Sequence, residues 1–175
     1  TYHVSGAWGV TILLIDAKGR IQSPIQFGKD RELLPDDTQL IRPNGISQEV
    51  MQTGEAVRIP DVSKERERVV NPFLAQRGIR AALCLPLSLP GQRIGVMWIH
   101  YQRPRLLSDF EVGALQLYVN RAATAYAEAR SMRRLEVFRE AVDLLAGADS
   151  TEGVLRQIVV SARRVLGAEG SVLWL

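Results

Sequence analysis

Between Gly78 and Tyr101 the chain reads GIRAALCLPLSLPGQRIGVMWIHY. Arg80 to Leu87 and Arg93 to Tyr101 are apolar, β-prone runs, and between them Leu89-Pro90-Gly91-Gln92 places a Pro-Gly pair at the centre of a turn. The stretch predicts an antiparallel hairpin. The near-continuous apolarity of its arms puts that hairpin at the centre of a sheet.

On the N-terminal side, Val10 to Ile15 is a second apolar run with Thr11 inside it, followed by a turn at Asp16-Ala17-Lys18-Gly19. Ile21 to Phe27 alternates in part despite Pro24, so a second hairpin is expected. Gly28 to Pro43 is charged and punctuated by Pro35, Asp36, Asp37 and Pro43, which predicts a loop with a short strand around Gln39 to Ile41. Ile46, Val50 and Met51 have helical spacing, and Gly54 can take the left-handed conformation that ends a helix over Ile46 to Thr53. Ala56 to Ile59 is a brief strand stopped by Pro60. Ser63 to Val70 is rich enough in Glu and Arg to be exposed, and Asn71-Pro72-Phe73 opens a short helix ending at Gly78.

On the C-terminal side, Ser108-Asp109-Phe110-Glu111 is a capping box, in which the Ser hydroxyl and the Glu carboxylate each satisfy a free amide at a helix start. No proline, and no glycine except Gly113, interrupts the sequence before Gly147. A helix of about 39 residues, about 58 Å long, is therefore predicted. Val112, Leu115, Val119, Ala122, Tyr126 and Ala129 alternate three- and four-residue steps, a coiled-coil-like seam that predicts a homodimer through this helix. Leu135, Phe138, Val142 and Leu145 continue in a shifted register. The change near Met132-Arg133-Arg134 marks where the helix leaves the domain and becomes a linker.

Beyond Gly147, Ser150 or Thr151 caps a further helix with Leu155, Ile158, Val159, Ala162 and Leu166 on one face, ended by Gly167. Gly167-Ala168-Glu169-Gly170 then leads into Ser171 to Leu175, echoing Gly6-Ala7-Trp8-Gly9 ahead of Val10 to Leu14. A repeat at a separation of about 160 residues is domain-sized, so the chain reads as a piece of a tandem array. The expected division is a first domain over 1–130, a linker helix over 131–150, and the first helix and strand of a second domain over 151–175.

Composition narrows the function. The chain has 175 residues, 46% of them hydrophobic, enough for one ordinary core plus extra length. Its longest aliphatic run is far short of a bilayer span and no export signal is legible, so a cytoplasmic protein without membrane contact is expected. A single cysteine, Cys84, allows no internal disulfide, and with only His3 and His100 beside it no metal site is expected. The net charge of +3 comes from dispersed arginines, such as Arg103/Arg105, Arg133/Arg134 and Arg163/Arg164. Glu128, Glu136, Glu140 and Glu169 interleave with them, which argues for mixed-charge helix faces and against nucleic-acid binding.

Taken in order, the segments GISQEVMQTGEAVRIPDV from Gly45 to Val62, GIRAALCLPL from Gly78 to Leu87 and GQRIGVMWIH from Gly91 to His100 resemble a GAF domain. They match that family's T-G-E-P/A-V, I-x-D-V, S-x-L-x-x-P-L and I-G-V-L-x-L runs, over about Ala7 to Arg130. The resemblance implies an α+β fold, an α/β/α sandwich with a mixed, mainly antiparallel sheet, flanking helices and a long C-terminal linker helix. It implies that the first domain lacks its opening helix, and that Thr151 to Gly167 can fill the vacant place in cis or by exchange between chains.

The resemblance also implies a cavity between sheet and loops. Family members hold cyclic nucleotides, tetrapyrroles, haem, amino acids or nothing, so the ligand is left open. The N-K…F-x-x-x-D-E signature of cyclic-nucleotide binders is missing here: Asn71 is followed by Pro72, and Ser108-Asp109-Phe110-Glu111 does not match. Cys84 lies within a strand, where it reads as a small buried residue and not as a bilin attachment point. The family branch that reduces free methionine sulfoxide uses several cysteines, and one cysteine permits no intramolecular disulfide cycle. No catalytic triad, zinc motif or carboxylate pair is legible, so the chain is not read as an enzyme.

Candidate ligand residues are Phe73, Arg77 and Arg80, on the loop and strand start that in this family lie over the cavity, together with Cys84, Trp98 and His100. An arginine there suits a carboxylate or phosphate, or is a solvated lid charge. His100 and Trp98 share a strand face, where the histidine meets a ligand or is a satisfied core residue. The resulting expectation is a small-molecule sensor in a signalling protein such as a histidine kinase, a diguanylate cyclase or a transcription regulator, with the output domain elsewhere in the full chain. The alternative is a ligand-free dimerisation spacer whose cavity is plugged by Trp98 and Phe73.

Overall fold

A computed structural model describes residues 6–16, 18–28, 40–65 and 78–146, and then residues 152, 153, 155, 156, 159, 160 and 163. The chain divides into two units, Thr1–Thr124 and Ala125–Leu175.

Among the described residues of the first unit the strands are β1 (Gly9–Ile15), β2 (Ile21–Gly28), β3 (Val57–Ile59), β4 (Ala81–Leu89) and β5 (Gln92–Tyr101), with helix α1 (Ile46–Thr53) between β2 and β3. They form one five-stranded sheet in the order β2-β1-β5-β4-β3. Every strand pair in it is antiparallel. Both expected hairpins form, and the Pro90-Gly91 turn closes β4 on β5 with Leu89 opposite Gln92. The non-local step is β1 against β5, which joins the two hairpins. Of the short strand expected at Gln39 to Ile41, the described part is an isolated bridge between Leu40 and Arg20.

Strand alternation assigns the two sheet faces. On one, Leu13, Ile15, Val57, Ile59, Ala82, Cys84 and Val96 pack with Ile46 and Val50 of α1, and Trp98 lies against this cluster. Gly54 ends α1 at φ 77°, its amide donating to the Val50 carbonyl at 2.9 Å. Arg93 of β5 donates from Nε and Nη2 to the carbonyls of Met51 and Gln52, capping the helix C-terminus from the sheet.

On the other face Leu83, Leu85, Met97 and Ile99 are buried. Arg58 alternates with Val57 and Ile59, so it belongs to this face, and it pairs with Asp109 at the start of α2 (Asp109–Ala146). Gln116 of α2 donates to the Pro86 carbonyl at 2.9 Å. The expected capping box is present: the Glu111 amide donates to Ser108 Oγ at 3.3 Å, and Glu111 Oε2 accepts from the Ser108 amide at 2.9 Å and its hydroxyl at 2.8 Å.

In the second unit Met132, Leu135, Phe138 and Val142 of α2 are exposed, and Arg139 pairs with Asp143 one turn on at 3.9 Å. Glu152, Gly153, Leu155, Arg156, Val159, Val160 and Arg163 are helical, within the helix expected after Thr151. The expected repeated strand at the C-terminus lies outside the described residues. No helix among the described residues is long and apolar enough to cross a membrane.

Candidate functional site

The register of β1, β5 and β4 lines up side chains in rows across the α1 face of the sheet. One row runs Gly9, His100, Ala82 and the next runs Thr11, Trp98, Cys84. Thr11 and His100, at 3% and 4% exposure, are the buried polar side chains among the described residues, and both belong to this face. Apolar strands at a sheet centre need no such groups, and burying them requires hydrogen-bond partners. Gly9 and Ala82 flank His100 with almost no side-chain volume, leaving the imidazole the largest group in its row.

Trp98 and His100 stack, with ring centroids 5.9 Å apart and planes at 12°. Trp98 Nε1 donates to Ser47 Oγ of α1 at 3.0 Å, so the indole bridges the sheet and the helix. Cys84 is fully buried, and burial, with a smaller contribution from the Glu49 charge, pushes its thiol well above the usual range. A thiol so placed is a poor nucleophile.

Arg80 precedes β4 and is exposed, with Nη2 3.7 Å from Asp61 Oδ1. Hydrogen bonds from the Ser63 hydroxyl and amide, and then the Arg80 charge, hold the Asp61 carboxyl below its ordinary value. Of the expected ligand residues, Cys84, Trp98 and His100 thus come together on one face and Arg80 stands at its border. Phe73 and Arg77 lie outside the described residues. Thr11, Gly9, Ala82 and Ser47 were not anticipated as neighbours of Trp98 and His100. Thr11 left a signal, as the polar residue inside the Val10 to Ile15 run; the others depend on register.

An open groove lined by Gly6, Ala7, Trp8 and the segment from Tyr101 to Arg105 contains none of these residues. Tyr101 points to the opposite face from His100, and its ring lies 4.8 Å from the Arg105 guanidinium carbon. Arg105 Nη2 in turn donates to Glu111 Oε1 at 3.0 Å.

Of the residues expected to form a dimer seam, Val112 and Leu115 are 7% exposed and Val119 is 0%, so the protomer itself already covers them. Ala122 and Ala129 are exposed and Tyr126 is half-buried. Ala123 takes the next buried place after Val119, so the row turns inward, away from Ala122. The reason is physical: a three-and-four spacing suits packing on a sheet as well as on a twin helix.

The sequence profile of the GAF domain matches residues 2–126, and the chain belongs to the GAF domain family. Solved structures share its fold, among them the following three. A domain of a two-component sensor histidine kinase protein from Sinorhizobium meliloti 1021 is 18% identical, with a TM-score of 0.59 over 74% of this chain and 84% of that one. Residues 122 to 287 of a methyl-accepting chemotaxis protein are 22% identical, with a TM-score of 0.60 over 75% and 84%. A type II free methionine-R-sulfoxide reductase from Thermoplasma acidophilum is 14% identical, with a TM-score of 0.56 over 72% and 85%. No curated protein sequence matches this chain significantly. The fold is thus one found in sensory proteins and in an enzyme.

Proposed function

We propose that the first unit is a regulatory, non-enzymatic module of a cytoplasmic signalling protein. It senses a small molecule on the α1 face of its sheet and relays occupancy through α2 in a homodimer to an output domain elsewhere in the full chain. The observation carrying this reading is the pair of buried polar side chains, Thr11 and His100, in adjacent rows beside Gly9 and Ala82. Polar groups converging on an otherwise apolar floor suit a small ligand. The fully buried thiol of Cys84 argues against thiol chemistry at this floor.

Support for a relay lies in the short path from floor to helix. His100 faces the floor, Tyr101 follows on the other face against Arg105, and Arg105 holds Glu111, the capping residue of α2. A displacement of β5 therefore reaches the helix start through two side-chain contacts. We read residues 151–175 as the opening of a second domain of the same kind.

Native mass spectrometry of the purified chain tests the sensor. The expected result is a dimer carrying additional small-molecule mass, lost in the Thr11→Val/His100→Ala double variant while that variant keeps its circular dichroism. Dimers with no added mass, and no binding from a metabolite panel, would refute it. They would favour the ligand-free spacer, to which the core packing of Trp98 and its bond to Ser47 lend specific support.

A further inference from the structure

The groove at the C-terminal end of β5 offers about 530 Å³, within the range of about 300–1,000 Å³ that small-molecule sites occupy. It is separate from the α1 face, because Tyr101, in its lining, alternates with His100 across the sheet. Backbone hydrogen bonds hold the lining in place. The Trp8 amide donates to the His100 carbonyl at 2.8 Å, which extends the pairing of β1 with β5 past Gly9 and brings Trp8 level with Tyr101. The segment from Tyr101 to Arg105 is pinned at each end: the Tyr101 carbonyl accepts from the Arg80 amide at 2.8 Å, and the Arg105 amide donates to the Pro60 carbonyl at 3.0 Å.

Two features of this lining serve no purpose in the fold itself. Trp8 is half-buried, and its Nε1 is shielded from solvent with no hydrogen-bond partner. Buried donors in native proteins are nearly always paired, so an orphan in the wall of a groove marks a place for an acceptor from outside. The second feature is charge. Arg103 and Arg105 both line the groove and no acidic residue does. Arg105 is engaged, stacked on Tyr101 and donating through Nη2 to Glu111. Arg103 is exposed and forms no ion pair among the described residues. Gly6, at φ 63°, keeps side chains away from Arg105, since a Cβ there would stand 3.6 Å from Nη1.

From these features we propose that the groove binds a small organic anion, whose carboxylate or phosphate is met by the Arg103 guanidinium and by the indole N–H of Trp8. Hydrogen bonds from a guanidinium to an oxyanion are charge-assisted, and the apolar part of such a ligand lies against Ala7, Pro104 and the indole. The two arginines repel a cation, and a wholly apolar molecule would leave Trp8 Nε1 unpaired. The groove is a second site, independent of the one on the α1 face, and Arg105 connects it to α2. An anion drawn to that guanidinium competes with Glu111 for it, so occupancy is felt at the helix cap.

Indole N–H resonances of the isotope-labelled chain test this. The Trp8 and Trp98 signals are identified by their loss in Trp8→Phe and Trp98→Phe, and benzoate and inorganic phosphate are titrated separately at constant ionic strength against sodium chloride. The expected result is a saturable shift of the Trp8 signal with at least one of the two anions. In Arg103→Gln the affinity falls about tenfold or more, while the thermal midpoint stays at the wild-type value because Arg103 is exposed and unpaired. Saturation by benzoate alone assigns a carboxylate ligand and by phosphate alone a phosphate ligand, and either supports the site. Shifts that rise linearly with both anions overturn it, as does an affinity that Arg103→Gln leaves unchanged. Saturable movement of the Trp98 signal with Trp8 unmoved overturns this groove and leaves the sensor on the α1 face standing.

Discussion

Replacing Gly95 with alanine is expected to be among the most damaging single-methyl additions in the domain. Gly95 lies in β5 opposite Leu14 of β1 and Leu87 of β4, at the point where the two hairpins join. A Cβ built there drives into the Leu13 carbonyl oxygen, with Leu14 Cα also within 3.1 Å. The obstacle is backbone on a central strand and cannot rotate aside, so β1 and β5 must separate. Overpacking costs about 1–3 kcal/mol, and a backbone obstacle puts this case near about 3 kcal/mol. For a unit of this size that lowers the melting temperature by roughly 10 °C. Gly78→Ala is the informative contrast. Its φ of 67° strains any side chain, yet a Cβ there meets nothing within 4 Å, so only the conformational cost of about 1–2 kcal/mol applies. Urea titration followed by circular dichroism measures both. A Gly95→Ala variant within about 0.5 kcal/mol of wild type, or no worse than Gly78→Ala, would refute the close approach of β1 to β5.

Three further outcomes are expected. The Glu111 carboxyl is drawn from 4.5 to about 2 by its hydrogen bonds to Ser108 and then by Arg105. Its folded value is below its unfolded one, so its stabilisation is complete above the unfolded value and fades as pH falls toward the folded one. Thermal midpoints of wild type and Glu111→Gln should therefore differ near neutral pH and converge in acid; parallel curves would contradict the capping role. Arg93→Met removes the cap on the Met51 and Gln52 carbonyls, and a loss of about 1 kcal/mol with faster amide exchange in α1 is expected, whereas unchanged exchange would dissociate Arg93 from that helix. Trp98→Phe forfeits the bond to Ser47 and about 1 kcal/mol, and Ser47→Ala should add little on top of it in a double-mutant cycle; additive losses would mean that the two side chains act separately.

The local features of this domain were legible in its sequence because each depends on neighbours along the chain. The Pro90-Gly91 hairpin, the Gly54 stop and the Ser108–Glu111 cap all follow from residues a few positions apart, and the observed elements differ from the expected bounds by only a residue or two. Trp98 and His100 were correctly placed on one face, since alternation along a strand is also local. The insertion of β1 beside β5 was not legible, and it is that pairing which sets Thr11 next to Trp98 and Gly9 next to His100. Arg93 reads as an ordinary strand residue, and its capping of α1 appears only when two elements separated by about forty residues meet.

The long helix shows how a pattern can be read without naming its partner. Val112, Leu115 and Val119 repeat every three or four residues because one stripe of a helix must be buried, and the repeat is silent on what buries it. Here the protomer does, leaving each at 7% exposure or less. The contacts from Tyr101 to Arg105 and from Arg105 to Glu111 tie the start of α2 to the end of the strand carrying His100. A movement of β5 would therefore be felt first at the capped start of α2, because Arg105 touches both.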